Sequence, residues 1–390
     1  MFKSLLKRRK KRRQKTPEKY SVDYDAITFN SHADIFFRLM DSTADTNEAT
    51  VQHMLQSDGS ISFGLERSSI NFERLSSAFE GREVFGLEDP QWSLASFQGI
   101  MGFAQGRTEI LQRLLFLQAS PICFEEGFVC SVLPEIYIQR SPDLWVYANN
   151  ISYRLDSVGP HFLPKSNVGI RRFLKENEFT EEQRVKGRDL RLLLIEKNIS
   201  KYNFVQGDQP VGDDYVLVID QAHNDLSVYL QGGEDGIFRH MLEAAIEENP
   251  DSKIAVKLHP EFKHRKTYLF PVPDEYKDKV VLFADDTDIM MLLAASHSVY
   301  TFSSTVGLEA IIRGKRAVVF GNPVYAGYGL SDDRCINLPT NRRLTADELV
   351  YALYLQNMLY LSPSTGERCH HLQAIDELLW LKKKFVAEVQ

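Results

Sequence analysis

The residues best suited to chemistry fall in short clusters, each at the end of an apolar run. Val299 to Phe302 ends in Ser303, Ser304 and Thr305, with Gly307 and Glu309 close behind. One hydroxyl suffices to cap a helix, because it accepts from an orphan backbone amide. Three in succession, with a glycine that lets the backbone come close, make a small anion pocket at a positive helix end. Glu309 either complements the helix dipole or accepts ribose hydroxyls. Lys257 and His259, just before Pro260, either mark a proline turn or hold a phosphate by charge-assisted hydrogen bonds. Asp220, Gln221 and Asp225 follow another apolar run. Glu125 and Glu126 follow Pro121 to Phe124 and precede Gly127. Two acids there form a turn or, facing a cleft, supply a general acid/base or a nucleophile.

The elements that must position these clusters are clearest in the second half. Tyr215 to Ile219 is a near-continuous β-branched run, as in a strand buried on both faces. A helix near 236–248, strands at 253–258 and 280–283 and a helix at 288–295 follow. Then come a strand at 299–302, a helix at 306–313 and a strand at 317–320. This alternation predicts a parallel, doubly wound sheet, whose ligands bind beyond the carboxyl ends of the strands. Asp220, His259, Ser303 and the segment Gly321 to Leu330 all stand at such ends. The first half predicts strands at 26–29, 83–87, 121–124 and 136–139, a helix over 94–117, and charged helices within 168–202. Residues 204–214, rich in Gly, Pro and Asp, read as a linker. The expected class is α/β: two Rossmann-like domains facing each other across a cleft. Residues 1–20 form a tail, 21–204 an acceptor-side domain, 205–365 a nucleotide-sugar domain and 366–390 a helix packing back on the first.

With 390 residues, 43% apolar and 25% charged, the chain suits a soluble protein of two domains. No apolar run approaches the ~20 residues of a membrane span, and no secretory signal is visible. Cys123, Cys130, Cys335 and Cys369 are scattered, which suits a reduced cytoplasm. Neither they nor the histidines have metal-ligand spacing. Asp285, Asp286 and Asp288 invite a metal, but Asp288 before an apolar run reads as a helix cap, so no metal is expected. A net charge of −7 argues against nucleic acid. Met1 to Lys15 is the exception, strongly basic with Phe2, Leu5 and Leu6 as an apolar edge. It reads as a peripheral anchor to anionic lipid, each basic residue adding ~1 kcal/mol near the surface. A solvated tail and an RNA contact are the alternatives.

Together these segments resemble the capsular polysaccharide β-Kdo transferase family, which moves 3-deoxy-D-manno-octulosonic acid (Kdo) from CMP-Kdo. The resemblance runs from Phe124 to Asp333. It includes Glu125 to Ser131, Ser200 to Asn203, Val218 to Ser227, Val256 to Pro260, Tyr300 to Ala310 and Phe320 to Leu330. It implies a GT-B fold, with CMP held by the His259-Pro260 and Ser303-Ser304 motifs. His259, Ser303, Ser304 and Thr305 would neutralise the phosphate and Glu309 would address the ribose, with no metal or other cofactor. Retention of configuration, which the family implies, calls for two displacements. Asp220 is the preferred nucleophile and Glu126 the general acid/base, with Glu125 as the fallback, and the roles are exchangeable. Gln221 and Asp225 would shape the same loop. The resemblance also implies a saccharide or glycolipid acceptor for capsule or lipopolysaccharide, at the cytoplasmic face of the inner membrane.

The sequence departs from the family at Glu126, where Asp is usual, and at Cys130, where Arg is usual. Leu133-Pro134-Glu135 replaces glycines. Acceptor recognition is therefore expected to differ, and another CMP sugar stays open as the donor. A nucleotide-sugar epimerase on the same fold and a non-catalytic assembly subunit are the competing readings.

Overall fold

The structure, a computed structural model, describes residues 48–101, 108–117, 121–134, 142–164, 168–203, 212, 214–223, 225–260, 262–263, 265–283, 287–335 and 342–389. The basic segment, the expected strands at 26–29 and 136–139, Asp285, Asp286 and most of the 204–214 linker lie outside these residues.

The first lobe holds α1 (Glu48–Gln56), β1 (Ile61–Phe63), α2 (Ile70–Ser77), β2 (Val84–Phe85), β3 (Phe97–Met101), α3 (Thr108–Phe116), β4 (Ile122–Glu126) and β5 (Ser152–Asp156). Its strands lie in the order β2-β1-β3-β4-β5, parallel except for β5 against β4. The helix expected over 94–117 is instead a strand followed by a helix. Phe97–Met101 pairs with β1 on one side and β4 on the other. Such a central place outweighs an apolar spacing that reads as helical, and Gly99 is in any case a poor helix former. Two charged helices follow as expected, α4 (Gly169–Glu176) and α5 (Glu181–Glu196). Thr180 and Gln183 close a capping box at the start of α5.

The second lobe runs β6 (Tyr215–Ile219), α6 (Leu226–Tyr229), α7 (Asp235–Glu248), β7 (Ile254–Lys257), β8 (Val280–Phe283), α8 (Ile289–Ala295), β9 (Ser296–Thr301), α9 (Thr305–Ile312), β10 (Arg316–Val319) and β11 (Asp332–Asp333). All its strand pairs are parallel, in the order β11-β10-β9-β6-β7-β8. The chain fills β6, β7 and β8 outward, then returns to the other side of β6 for β9, β10 and β11. The topological switch point therefore lies between β6 and β9, where a crevice opens at the carboxyl ends. Asp288 caps α8, accepting the Met290 N–H at 2.8 Å.

The chain then goes back. Helix α10 (Ala346–Tyr354) packs along α5, and β12 (Met358–Tyr360) joins the first sheet antiparallel to β5. Helix α11 (His371–Val389) follows. The return expected at residue 366 thus begins earlier, because β12 is already a strand of the first sheet. Among the described residues no helix is long and apolar enough to cross a membrane.

Candidate active site

A cavity of about 720 Å³ lies between the lobes, with the switch point as one wall. Gln221 and Ser303 join the exits of β6 and β9. Gln221 Nε2 donates to Ser303 Oγ at 3.1 Å, and the Ser303 N–H donates to Gln221 Oε1 at 2.9 Å. Ser304 takes the modest role, its hydroxyl accepting from the Val306 N–H as the cap of α9. Thr305 lines the cavity beside it. Gly307 does not admit a ligand: a Cβ there would stand 2.4 Å from the Tyr325 hydroxyl. Its smallness makes room for Tyr325, which donates to the Ser304 carbonyl at 2.5 Å and fixes that turn.

Lys257, His259 and Pro260, at the exit of β7, line the same wall. Burial, with Arg265 and Lys257 nearby, pushes the His259 imidazole down to about 4 despite the pull of Asp225. His259 is therefore a neutral hydrogen-bonding group at pH 7 and not the cation expected of it. Asp220 is 2% exposed, and its Oδ1 accepts the Gln221 and Leu269 N–H groups, both at 2.9 Å. Burial raises its pKa in spite of these bonds. Asp225 accepts the Ser227 N–H at 2.8 Å and caps α6 from the cavity wall.

The opposite wall carries Glu125 and Glu126 at the end of β4. Against the cost of burial, Glu126 is held below the usual carboxylate range by Lys201, Asn150 and Tyr202. Lys201 Nζ lies 2.9 Å from its Oε2, the Tyr202 hydroxyl donates to Oε2 at 3.0 Å, and Asn150 Nδ2 donates to Oε1 at 3.2 Å. Glu125 goes the other way, pushed up to about 8 by burial and then by the charge of Glu126. Adjacent carboxyls so divided supply one ionised group and one proton carrier near neutral pH.

Glu309 is not part of this wall. It is 3% exposed, and its Oε1 accepts the Lys201 N–H at 2.8 Å. The ribose role read from its sequence position is thus replaced by a contact between the lobes. Lys201 and Tyr202, quoted above only within a motif, prove central to the site. His161, Gln231, Arg265 and Tyr325 also line the cavity without having been singled out.

The family model for capsule polysaccharide biosynthesis proteins matches residues 177–368. The matched residues make up just under half of the chain. Among its curated relatives is the capsule polysaccharide modification protein LipA of Neisseria meningitidis serogroup B. It is 30% identical over 276 residues, which is 67% of this chain and 38% of LipA. The lipopolysaccharide-processing protein LpsZ of Rhizobium meliloti is 29% identical over 237 residues, 58% of this chain and 53% of LpsZ. This chain thus spans well under two thirds of either relative's length. Among solved structures, the β-Kdo 2,4 transferase of Thermosulfurimonas dismutans KpsC superposes with a TM-score of 0.69 at 28% identity, covering 82% of this chain and 97% of that one. The β-Kdo 2,7 transferase of the same protein gives 0.59 at 21% identity, covering 83% and 99%, a likeness of fold. The architecture is GT-B-like, with two parallel-rich α/β lobes.

Proposed function

We propose that this chain is a retaining glycosyltransferase that moves Kdo from CMP-Kdo to a saccharide acceptor in capsule or lipopolysaccharide synthesis. One observation carries the reading. A single cavity sets a divided pair of carboxyls on one wall against hydroxyls, amides and a lysine at a Rossmann switch point on the other. The second wall suits one phosphate, which Lys257, His259, Ser303 and the start of α9 would meet without a metal. EDTA should then leave transfer intact.

The division of the acids favours moving the nucleophile's role from Asp220 to Glu126 and the proton's role to the fallback, Glu125. A nucleophile must be ionised, and Glu126 is; Asp220 is tied to backbone amides and shapes the loop. In the first displacement Glu126 forms a bond to the anomeric carbon while the bond to the CMP oxygen breaks, and Glu125 gives its proton to the departing phosphate. In the second the acceptor oxygen bonds to that carbon, the Glu126 ester bond breaks, and Glu125 takes the acceptor's proton. The resemblance of the segment Glu125 to Ser131 to β-Kdo transferases, and the KpsC neighbours, support Kdo as the sugar. The basic segment Met1 to Lys15 would hold the enzyme at the cytoplasmic face of an anionic membrane, beside a lipid-linked acceptor.

The test is incubation with CMP-Kdo generated in situ and a panel of acceptors, read by mass. Glu126→Gln should form neither product nor adduct. Glu125→Gln should accumulate protein heavier by one sugar, since the intermediate forms slowly but resolves more slowly still. No transfer by the wild type, with UDP rather than CMP raising its Tm, would sink the reading and favour the epimerase.

A further inference from the structure

His161 belongs to none of the groups given a role above. It lies after β5, on the same cavity wall as Glu125, Glu126 and Lys201. Its ring centroid is 5.0 Å from that of Phe128 and 5.7 Å from that of Phe162, so aromatic neighbours fix its plane. Its loop is held by both lobes. Gln231 Nε2 donates to the Phe162 carbonyl at 3.2 Å. Arg171 Nε donates to the Leu163 carbonyl at 2.7 Å, while its Nη2 donates to the Asn322 carbonyl at 2.6 Å.

The ring's Nδ1 is enclosed and has no hydrogen-bond partner. Burial, reinforced by the charges of Arg154, Lys201 and Arg171, holds the imidazole well below its usual pKa, and it is neutral. A neutral imidazole carries its proton on one nitrogen. A proton on Nδ1 would be a buried, unpaired N–H, the rarer kind of orphan. The proton therefore sits on Nε2, the nitrogen left to face the cavity. The result is a rigid group that donates one hydrogen bond there and accepts none. A hydroxyl can partner any such group, whereas an acceptor-only oxygen needs a donor. Among the parts of a sugar acid the acceptor-only atoms are the ether-type oxygens and the carboxylate, and of these the charged carboxylate takes the strongest bond from an N–H.

We propose that His161 is a specificity-determining contact that donates from Nε2 to the carboxylate of the transferred sugar acid. This rests on the transferase reading above and adds the residue that distinguishes an acidic sugar from a neutral one.

The experiment compares wild type, His161→Phe and His161→Gln. Phe keeps the aromatic packing and loses the donor; Gln restores an N–H near the place of Nε2. With CMP-Kdo generated in situ, His161→Phe should raise the donor KM by about tenfold or more, the loss of a hydrogen bond to a charged group. His161→Gln should recover most of that, and CMP alone should bind all three proteins alike by calorimetry. Nitrogen-15 NMR of the wild-type ring should show the Nε2–H tautomer between roughly pH 5 and 8, the range in which an unperturbed imidazole would titrate. A wild-type KM in His161→Phe, an Nδ1–H tautomer, or equal loss of CMP binding would each overturn the inference alone. A wild type that transfers no Kdo overturns the functional reading, and this inference falls with it.

Discussion

Gln221 and Ser303 are tied to each other by two hydrogen bonds, of 3.1 and 2.9 Å, spanning the gap between the strands where the sheet changes direction. The pair holds the backbone amide and hydroxyl of Ser303 in one place before any ligand arrives. Gln221→Ala would leave a buried N–H without its acceptor, at ~1–3 kcal/mol. The expected result is CMP affinity lower by about tenfold or more, measured by calorimetry. Unchanged affinity would mean that the phosphate does not dock at this exit.

Glu125 gives the site a pH signature. With its pKa at about 8, it carries the proton required by the first displacement below that pH and loses it above. Donor kcat/KM should fall on the alkaline side of about 8, and Glu125→Gln should abolish that limb along with most activity. The effect on stability has a definite sign. Between the ordinary carboxylate range and about 8 the folded protein binds a proton that the unfolded chain has released, so stability falls as pH rises through this window. Glu125→Gln should therefore raise Tm relative to wild type more at pH 8 than at pH 5.

Glu309 joins the lobes and does not line the cavity. Glu309→Leu keeps the bulk and removes the acceptor of the Lys201 N–H. We expect a loss of ~1–3 kcal/mol in stability, seen as a lower urea midpoint, with CMP affinity unchanged. Weaker CMP binding at unchanged stability would restore the ribose role.

Gly187 lies where α5 passes close against the backbone of α10. A Cβ there would stand 2.0 Å from the Asp347 carbonyl oxygen, which is backbone and cannot swing aside. Gly187→Ala should cost ~1–3 kcal/mol or more despite its better helix propensity, lowering Tm by several degrees. A rise in Tm would show that the helices can part at little cost.

The basic segment supplies a separate test. Replacing the Lys and Arg residues within Lys7 to Arg13 by Gln should weaken binding to anionic vesicles, most strongly at low salt, without changing kcat on a water-soluble acceptor. Equal vesicle binding by both proteins would remove the membrane role from these residues.

The second lobe was legible because strands buried on both faces, such as Tyr215–Ile219, are written as unbroken apolar runs. Their exits followed from the rule for open parallel sheets. The first lobe hid better. Its β1 has three residues and β2 two, too short to show a period, and one of its strands comes from residues 358–360. In the site, Glu125 and Glu126 were visible as acids, but their division depends on burial and on Lys201 and Tyr202, distant in sequence. Glu309 was misjudged because its position near the start of α9 does not say which side of the helix faces the cavity. His161 gave no signal at all, since its meaning lies in an enclosed nitrogen.

The return of the chain into its first sheet means that two covalent segments cross the junction, one entering β6 and one leaving for α10. A body hung from a single tether can swivel freely; one hung from two is confined largely to bending about the line between them. Any gaping of the cavity to release CMP would then follow one trajectory, and cutting the polypeptide beyond β11 would dismantle the acid-bearing half as well as free the other.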